Sequence, residues 1–400
     1  MNQTSNLPQT IIPTMKLQLL GGLTAAQFLK SHWQKQPLLV RGAIPGFQDP
    51  LTTWEILRLA GRAEVESRLV WRSREKWRLE HGPVPAARIA RMAAKNWTVL
   101  VQGVNLQSDA ADALLRRFAF LPAARLDDLM VSYAVPGGGV GPHVDSYDVF
   151  LLQGKGRRRW RISRQKDHSL LETSSLAVLA KFAPEEEWIL NPGDMLYLPP
   201  NVAHEGVALD ACSTWSIGFR APGMRELGIA LLDRLDQILH AKSVPARYQD
   251  RGLKPSTNTG RIPLAMFDYA RGVARLLSLT DTHIETALGQ CLSEPKPIVS
   301  FDAPDPVMSK RTFGARLYAI GLRLDRRTQF LYLRGAFYIN GEIQSIDRLD
   351  TNLLRKLSDQ RQIPPGVTIS RAAHEILYRW YADGWLHPGN SAARKNDYRE

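Results

Sequence analysis

Two histidines and a carboxylate, His143, Asp145 and His204, constrain this chain's fold more than any other feature of its sequence. The segment Gly141-Pro142-His143-Val144-Asp145-Ser146-Tyr147-Asp148-Val149-Phe150 begins as a polar turn and runs into an apolar strand. Side chains at i and i+2 of a strand share a face, so His143 and Asp145 can point into one site. His204 follows Asn191-Pro192-Gly193-Asp194-Met195-Leu196-Tyr197-Leu198-Pro199-Pro200, which reads as turn, strand and rigid turn. A joint role requires the fold to bring these two distant stretches together. A His-x-Asp pair alone is common as a hydrogen-bonded surface pair. Here the run Pro136-Gly137-Gly138-Gly139-Val140-Gly141 leads directly into it and lets backbone approach closely.

Two histidines and one carboxylate on one face of an octahedron leave three positions open, the ligand set of non-haem Fe(II) oxygenases. A cation lies in the same region. In Gly156-Arg157-Arg158-Arg159-Trp160-Arg161-Ile162 a basic surface is the plain reading, but period two divides the run. Arg157, Arg159 and Arg161 fall on one face. Arg158 shares the other with Trp160 and Ile162, which belong in a core. A buried arginine needs a carboxylate, and its planar fork suits one bidentately. Arg158 therefore pairs with a protein Asp or Glu, or anchors the distal carboxylate of a 2-oxo diacid held at the metal.

The 400 residues suggest two or three domains, and a hydrophobic content of 44% is ample for real cores. No run reaches the length of a membrane span. Met1 to Pro8 has neither a basic nor an apolar segment of the secretory kind. The two cysteines, Cys212 and Cys291, fall in different expected domains and read as reduced and structural, which fits a cytoplasmic chain. The net charge of +13 favours polyanions such as ribosomal RNA and disfavours a free basic protein as substrate.

Three parts are expected: residues 1–222, 223–304 and 305–400. Up to Pro222, short strands between Pro and Gly turns follow a helical prelude, the pattern of an all-β double-stranded barrel. Arg225 to His240 switches to helical period, with Leu227, Leu231, Leu235, Ile238 and Leu239 as its apolar stripe. A polar loop covers Lys242 to Gly260, and further helices cover Pro263 to Leu279 and Asp281 to Leu292. A helical segment too small for its own core packs against the barrel or docks on a twin. After Ala303-Pro304-Asp305-Pro306 the pattern is helix (Ser309 to Ile320), two strands (Gln329 to Leu333, Ala336 to Ile339), an Asn340-Gly341 hairpin turn, and helices at Thr351 to Leu357 and Ser370 to Asp383. Three helices with a small hairpin resemble a winged helix, and Arg323, Arg326, Arg327 and Arg334 would allow contact with nucleic acid. The tail from Asn390 to Glu400 is polar and expected to be disordered.

Residues from about 15 to 222 resemble the JmjC-type cupin oxygenases, and most closely the bacterial ribosomal oxygenases. The resemblance is carried by His32-Trp33-Gln34-Lys35-Gln36-Pro37-Leu38-Leu39-Val40-Arg41-Gly42, Asp127-Asp128-Leu129-Met130-Val131-Ser132-Tyr133, the Gly-rich loop through Phe150, Gly154 to Trp160, Pro192 to Gly206, and Gly218-Phe219-Arg220-Ala221-Pro222. It implies an α+β chain: a double-stranded β-helix (cupin, jelly-roll), a helical dimerisation region and a winged-helix-like C-terminal domain used as a scaffold. It implies Fe(II), with 2-oxoglutarate and O2 as cosubstrates, His143, Asp145 and His204 as ligands, and Arg158 as the 2-oxoglutarate anchor. Relatives often carry a hydroxyl where Ala134 stands, a contact that is either missing here or supplied by Ser132.

The activity so implied is 3-hydroxylation of an arginine in the large-subunit ribosomal protein numbered sixteen. Such a substrate needs an anion and a flat ring for its guanidinium, and Asp128 and Tyr147 supply those types, with Ser216 adding a hydrogen bond. The plainer reading is that Asp128 caps a turn and Tyr147 packs in the barrel. Three rival activities stay open: hydroxylation of histidine or another side chain, removal of N-methyl groups, and a non-enzymatic DNA-binding regulator.

Overall fold

In a computed structural model, residues 15–389 are described, apart from 75, 173–174, 242–261 and 263. The expected loop at 242–260 and the polar tail at 390–400 lie outside the described residues, as do residues 1–14. The N-terminal part contains a short hairpin (β1, Lys16–Leu17; β2, Leu23–Thr24), α1 (Ala25–Ser31), β3 (Leu38–Val40), α2 (Thr53–Ala60), β4 (Ser67–Ser73), β5 (Lys76–His81), α3 (Ala86–Ile89), β6 (Trp97–Val101), α4 (Asp109–Arg116) and β7 (Leu126–Ala134). The first two helices start at reciprocal caps, Thr24 with Gln27 and Thr52 with Glu55, which satisfy backbone donors that helix geometry leaves unpaired.

The next six strands are β8 (Val149–Gln153), β9 (Arg158–Ser163), β10 (Glu186–Leu190), β11 (Met195–Leu198), β12 (Ala203–Ala208) and β13 (Cys212–Phe219). They complete an eight-stranded antiparallel sheet in the order β3-β11-β8-β13-β7-β6-β4-β5 and a three-stranded sheet in the order β10-β9-β12. Alternation along each strand sends side chains to two cores. Phe150, Leu152, Tyr197, Trp215 and Ile217 join Phe28, Ile56 and Leu115 of the helices on the outer face of the large sheet. Val149, Leu151, Trp160, Ile162, Leu190, Leu196 and Leu198 fill the space between the two sheets. This is the expected double-stranded β-helix with its helical prelude.

Beyond the barrel lie α5 (Met224–Ala241), α6 (Leu264–Leu276) and α7 (Asp281–Ser293). These match the expected helices, with ends moved by a few residues. The expected stripe of α5 is half-buried, with Ile238 buried, while Leu232 on α5 and Leu264 and Phe267 on α6 are more than half exposed. The last part contains α8 (Lys310–Ile320), β14 (Leu322–Leu324), β15 (Phe330–Leu333), β16 (Ala336–Ile339), β17 (Glu342–Gln344), α9 (Thr351–Gln360), β18 (Gln362–Ile363), α10 (Arg371–Ala382) and β19 (Leu386–Pro388). Ser309 and Ser370 cap their helices through their hydroxyls. Asn340 and Gly341 both have positive φ, 49° and 84°, as a tight hairpin turn demands. The expected surface arginines are mostly committed internally: Arg326 to Asp109, Arg327 to Asp325 and Asp302, and Arg334 to Glu285. Among the described residues, no helix is long and apolar enough to cross a membrane.

Candidate metal centre

His143, Asp145 and His204 meet as expected, but not through the local structure expected. The strand begins only at Val149, and His143 forms an isolated bridge to His204. The two residues exchange backbone hydrogen bonds, His143 N–H to His204 O at 3.0 Å and the reverse at 2.9 Å. Asp145 is tied separately, its carbonyl accepting Asn201 N–H at 2.8 Å. The donor atoms of the three side chains lie within 4.8 Å of one another, within reach of one ion. The Asp145 carboxylate is 3.6 Å from His204 Nε2 and 4.0 Å from His143 Nε2.

The histidine tautomers follow from their partners. His143 Nδ1 is 2.9 Å from Gly141 O, and His204 Nδ1 is 2.9 Å from Val202 O. A carbonyl only accepts, so each Nδ1 carries the hydrogen and each Nε2 keeps its lone pair for a metal. Burial above all pushes the His204 pKa down to about 4, so its imidazole is neutral near pH 7. His204 is buried while His143 and Asp145 stay partly open, which leaves one side of the cluster accessible.

Behind the cluster, the inward faces of β7 and β13 form a polar ladder. Ser132 opposes Thr214, Met130 opposes Ser216, and Ala134 opposes Cys212. From Asp128 to Ala134 the ladder runs roughly 20 Å. Arg158 stands at the Cys212 end, 5% exposed, with Nη2 at 3.7 Å from Cys212 Sγ. Its phase is the expected one: Arg157 pairs with Asp210, Arg159 faces Glu187 and Arg161 pairs with Glu205, all outside. Among the described residues Arg158 has no carboxylate partner, and its buried Nε has no acceptor. A buried fork with unmet donors fits a carboxylate supplied by a small molecule. Trp160 stands between the two ends, its ring 5.9 Å from that of His204 and 5.8 Å from the Arg158 guanidinium. A Cβ on Gly206 would lie 2.7 Å from this indole, so only glycine fits there.

The remaining expected residues occupy the ladder or its mouth. Ser132 and Ser216 are buried on the inward face, while Ala134, Ala208 and Cys212 make the Arg158 end apolar. Tyr147 is 40% exposed at the mouth of the site. Burial, then Asp145 and Asp128, push its pKa well above the ordinary tyrosine value. Asp128 is buried, and its Oδ2 accepts Gly103 N–H at 3.0 Å. Sequence reasoning missed two features. Asp148, fully buried, accepts from Tyr197 Oη at 2.6 Å, Gln34 Nε2 at 3.0 Å and Arg125 at 3.2 Å, and so ties the metal loop to β11 and the prelude. Lys296, from beyond the barrel, reaches Asp127 and Asp128. Both cysteines are free, as expected.

The JmjC domain family matches residues 113–227, and the ROXA-like winged helix matches residues 275–387. The latter match begins within α6, well before the expected boundary at 305. The chain is 38% identical over 376 residues to the ribosomal protein uL16 3-hydroxylase of Escherichia coli K12, covering 89% of this chain and 97% of that protein. The chain belongs to the JmjC ribosomal oxygenase family. A probable ribosomal oxygenase of Haemophilus influenzae is 37% identical over 224 residues, 54% of this chain and 55% of that one. The structure of E. coli YcfD, a ribosomal oxygenase in complex with cobalt and 2-oxoglutarate, matches with a TM-score of 0.75 and 32% identity, over 91% of this chain and 98% of that one. Family membership therefore rests on nearly the whole length of the chain, winged helix included.

Proposed function

We propose that this chain is an Fe(II)- and 2-oxoglutarate-dependent protein hydroxylase acting on an arginine of ribosomal protein uL16. The observation that carries the reading is the orphaned Arg158 fork, buried behind a His-Asp-His cluster in a chain largely alignable with a uL16 hydroxylase. His143, Asp145 and His204 would hold the metal, and Arg158 the far carboxylate of 2-oxoglutarate. Ser132 lies on the same inward face and would add a hydroxyl contact to it. Bound Fe(II) with 2-oxoglutarate and O2 supplies the oxidising chemistry. The chain's own residues fix geometry around it. The two imidazoles are oriented by Gly141 O and Val202 O, Trp160 walls the site apolar, and the partly open side at His143 and Asp145 admits substrate. Asp128, Tyr147 and Ser216 would grip the guanidinium.

Two further assignments accompany this reading. The exposed Leu232, Leu264 and Phe267 of α5 and α6 favour a homodimer, and a ribosomal substrate favours the cytoplasm. The +13 charge is better suited to an assembling ribosome, with its RNA, than to a free basic protein. The test is intact-mass analysis of recombinant uL16 incubated with enzyme, Fe(II), 2-oxoglutarate and O2, with fragmentation to place the change. One added oxygen on an arginine is expected. An added oxygen on histidine, a lost methylene, or no change with intact metal binding would each overturn it.

A further inference from the structure

Lys296 lies between α7 and the winged-helix strands, outside the residues matched by the JmjC domain. Its ammonium stands 3.1 Å from Asp127 Oδ1 and 3.4 Å from Asp128 Oδ2. The Gly103 N–H also bonds to Asp128 Oδ2. Both contacts that fix this buried carboxylate thus fall on one oxygen. Among the described residues, Asp128 Oδ1 accepts no hydrogen bond, and it lies 3.4 Å from where a Cβ would stand on Gly218. A Cβ at 218 would stand in ordinary van der Waals contact with that oxygen, and none of the polar contacts that fix the carboxylate falls on it.

Charge supports the same arrangement. Burial pushes the Asp128 carboxyl up, and Lys296 is the strongest opposing influence. Burial would lower the Lys296 pKa, but Asp128 and then Asp127 outweigh it and raise it, so the lysine stays charged. Asp127 and Lys296 also line a cavity of about 820 Å³ between the barrel and the helical region. The lysine therefore reaches the carboxylates from the side of the added domains. A lysine acting as a plug in the substrate's place would cover the free oxygen, whereas this one sits on the oxygen already used.

We propose that Lys296 is a positioning residue for substrate: it holds Asp128 through Oδ2 and Asp127, presents Oδ1 to an incoming cationic side chain, and makes the segment after α7 part of the specificity site. The inference rests on the reading of Asp128 as the guanidinium clamp. It is tested in the full-length chain with recombinant uL16, using Lys296→Met, Lys296→Arg and Asp128→Asn. Lys296→Met should raise the KM for uL16 about tenfold, a loss typical of one charge-assisted contact, with kcat within about twofold. The KM for 2-oxoglutarate should not move, and Lys296→Arg should restore most of the loss. An unchanged KM in Lys296→Met, alongside a raised KM in Asp128→Asn, would reduce the lysine to a surface tie and overturn the proposal. A lowered KM would make it a plug and overturn it equally. A silent Asp128→Asn would overturn the clamp reading itself.

Discussion

Replacing Arg158 by methionine should stabilise the protein and cripple its use of 2-oxoglutarate. The guanidinium is 5% exposed, its Nε has no acceptor, and its Nη2 contact is a weak one to Cys212 sulfur. An unsatisfied buried donor costs about 1–3 kcal/mol, and an apolar side chain of similar length removes that cost. For a barrel of this size the melting temperature should rise by roughly 3–10 °C. Binding moves the other way. Losing the partner of a desolvated carboxylate costs about 3–5 kcal/mol, so 2-oxoglutarate affinity should fall roughly a hundred- to several-thousand-fold. Thermal melting with Mn(II), with and without 2-oxoglutarate, reads both effects at once. The parent should show a cosubstrate-dependent rise, and Arg158→Met should start higher and show none. Arg159→Met should keep the parent's rise with 2-oxoglutarate, because Arg159 lies on the opposite face of β9, 3.9 Å from Glu187. A lower melting temperature in Arg158→Met, or an undiminished rise with 2-oxoglutarate, would refute both the burial argument and the anchor.

His143→Ala and Asp145→Ala should each abolish turnover and Co(II) binding followed by absorption spectroscopy, while far-UV circular dichroism stays at the parent's, since backbone bonds hold the loop. Tyr197→Phe removes a 2.6 Å donor from fully buried Asp148 and should cost about 1.5–3 kcal/mol in urea unfolding, without a change in metal stoichiometry. In the C-terminal domain, burial alone would raise the Asp325 carboxyl, but the His387 and Arg327 hydrogen bonds outweigh it and hold it well below the ordinary range. A depressed carboxylate contributes stability that is present above its unfolded value near 4 and is lost as pH falls below that. Winged-helix unfolding followed by tryptophan fluorescence should therefore show an acid transition starting below about pH 4, and Asp325→Asn should remove that pH dependence and lower stability at pH 7.

The barrel, its Arg158 phase and the three helices and β15–β16 hairpin of the winged helix were legible in the sequence because each rests on a short-range signal, whereas the two- and three-residue strands β14, β17, β18 and β19 were too short to read. Period two put Arg158 with Trp160 and Ile162, the helical run from Ser309 placed α8, and Ser370 as a cap placed α10 almost to the residue. The metal loop was legible in outcome but not in detail. An i, i+2 strand argument brought His143 and Asp145 together, whereas an isolated bridge to His204 and a separate backbone bond from Asn201 to Asp145 hold them. Long-range polar contacts were not legible. Asp148 gave no sign that Gln34, Arg125 and Tyr197 converge on it, and Lys296 lies far along the chain from Asp128. Nor could periodicity show that Arg326, Arg327 and Arg334 are occupied by acids of neighbouring elements. A charge's partner is a tertiary fact, and a basic run looks alike whether solvated or paired.

The paired backbone bonds between His143 and His204 have a consequence for iron supply. Where a metal gathers its own ligands, as in a zinc finger, loss of the ion is loss of the fold. Here the peptide groups, together with Gly141 O and Val202 O, already hold both imidazoles side by side with each Nε2 turned away from its carbonyl partner. Metal binding is then a local event at a site the backbone has already formed, and the metal-free protein is expected to stay folded. A cell short of iron would keep this chain as an idle stock, outside the reach of proteases that clear unfolded chains, and hydroxylation could resume when iron returned without new synthesis.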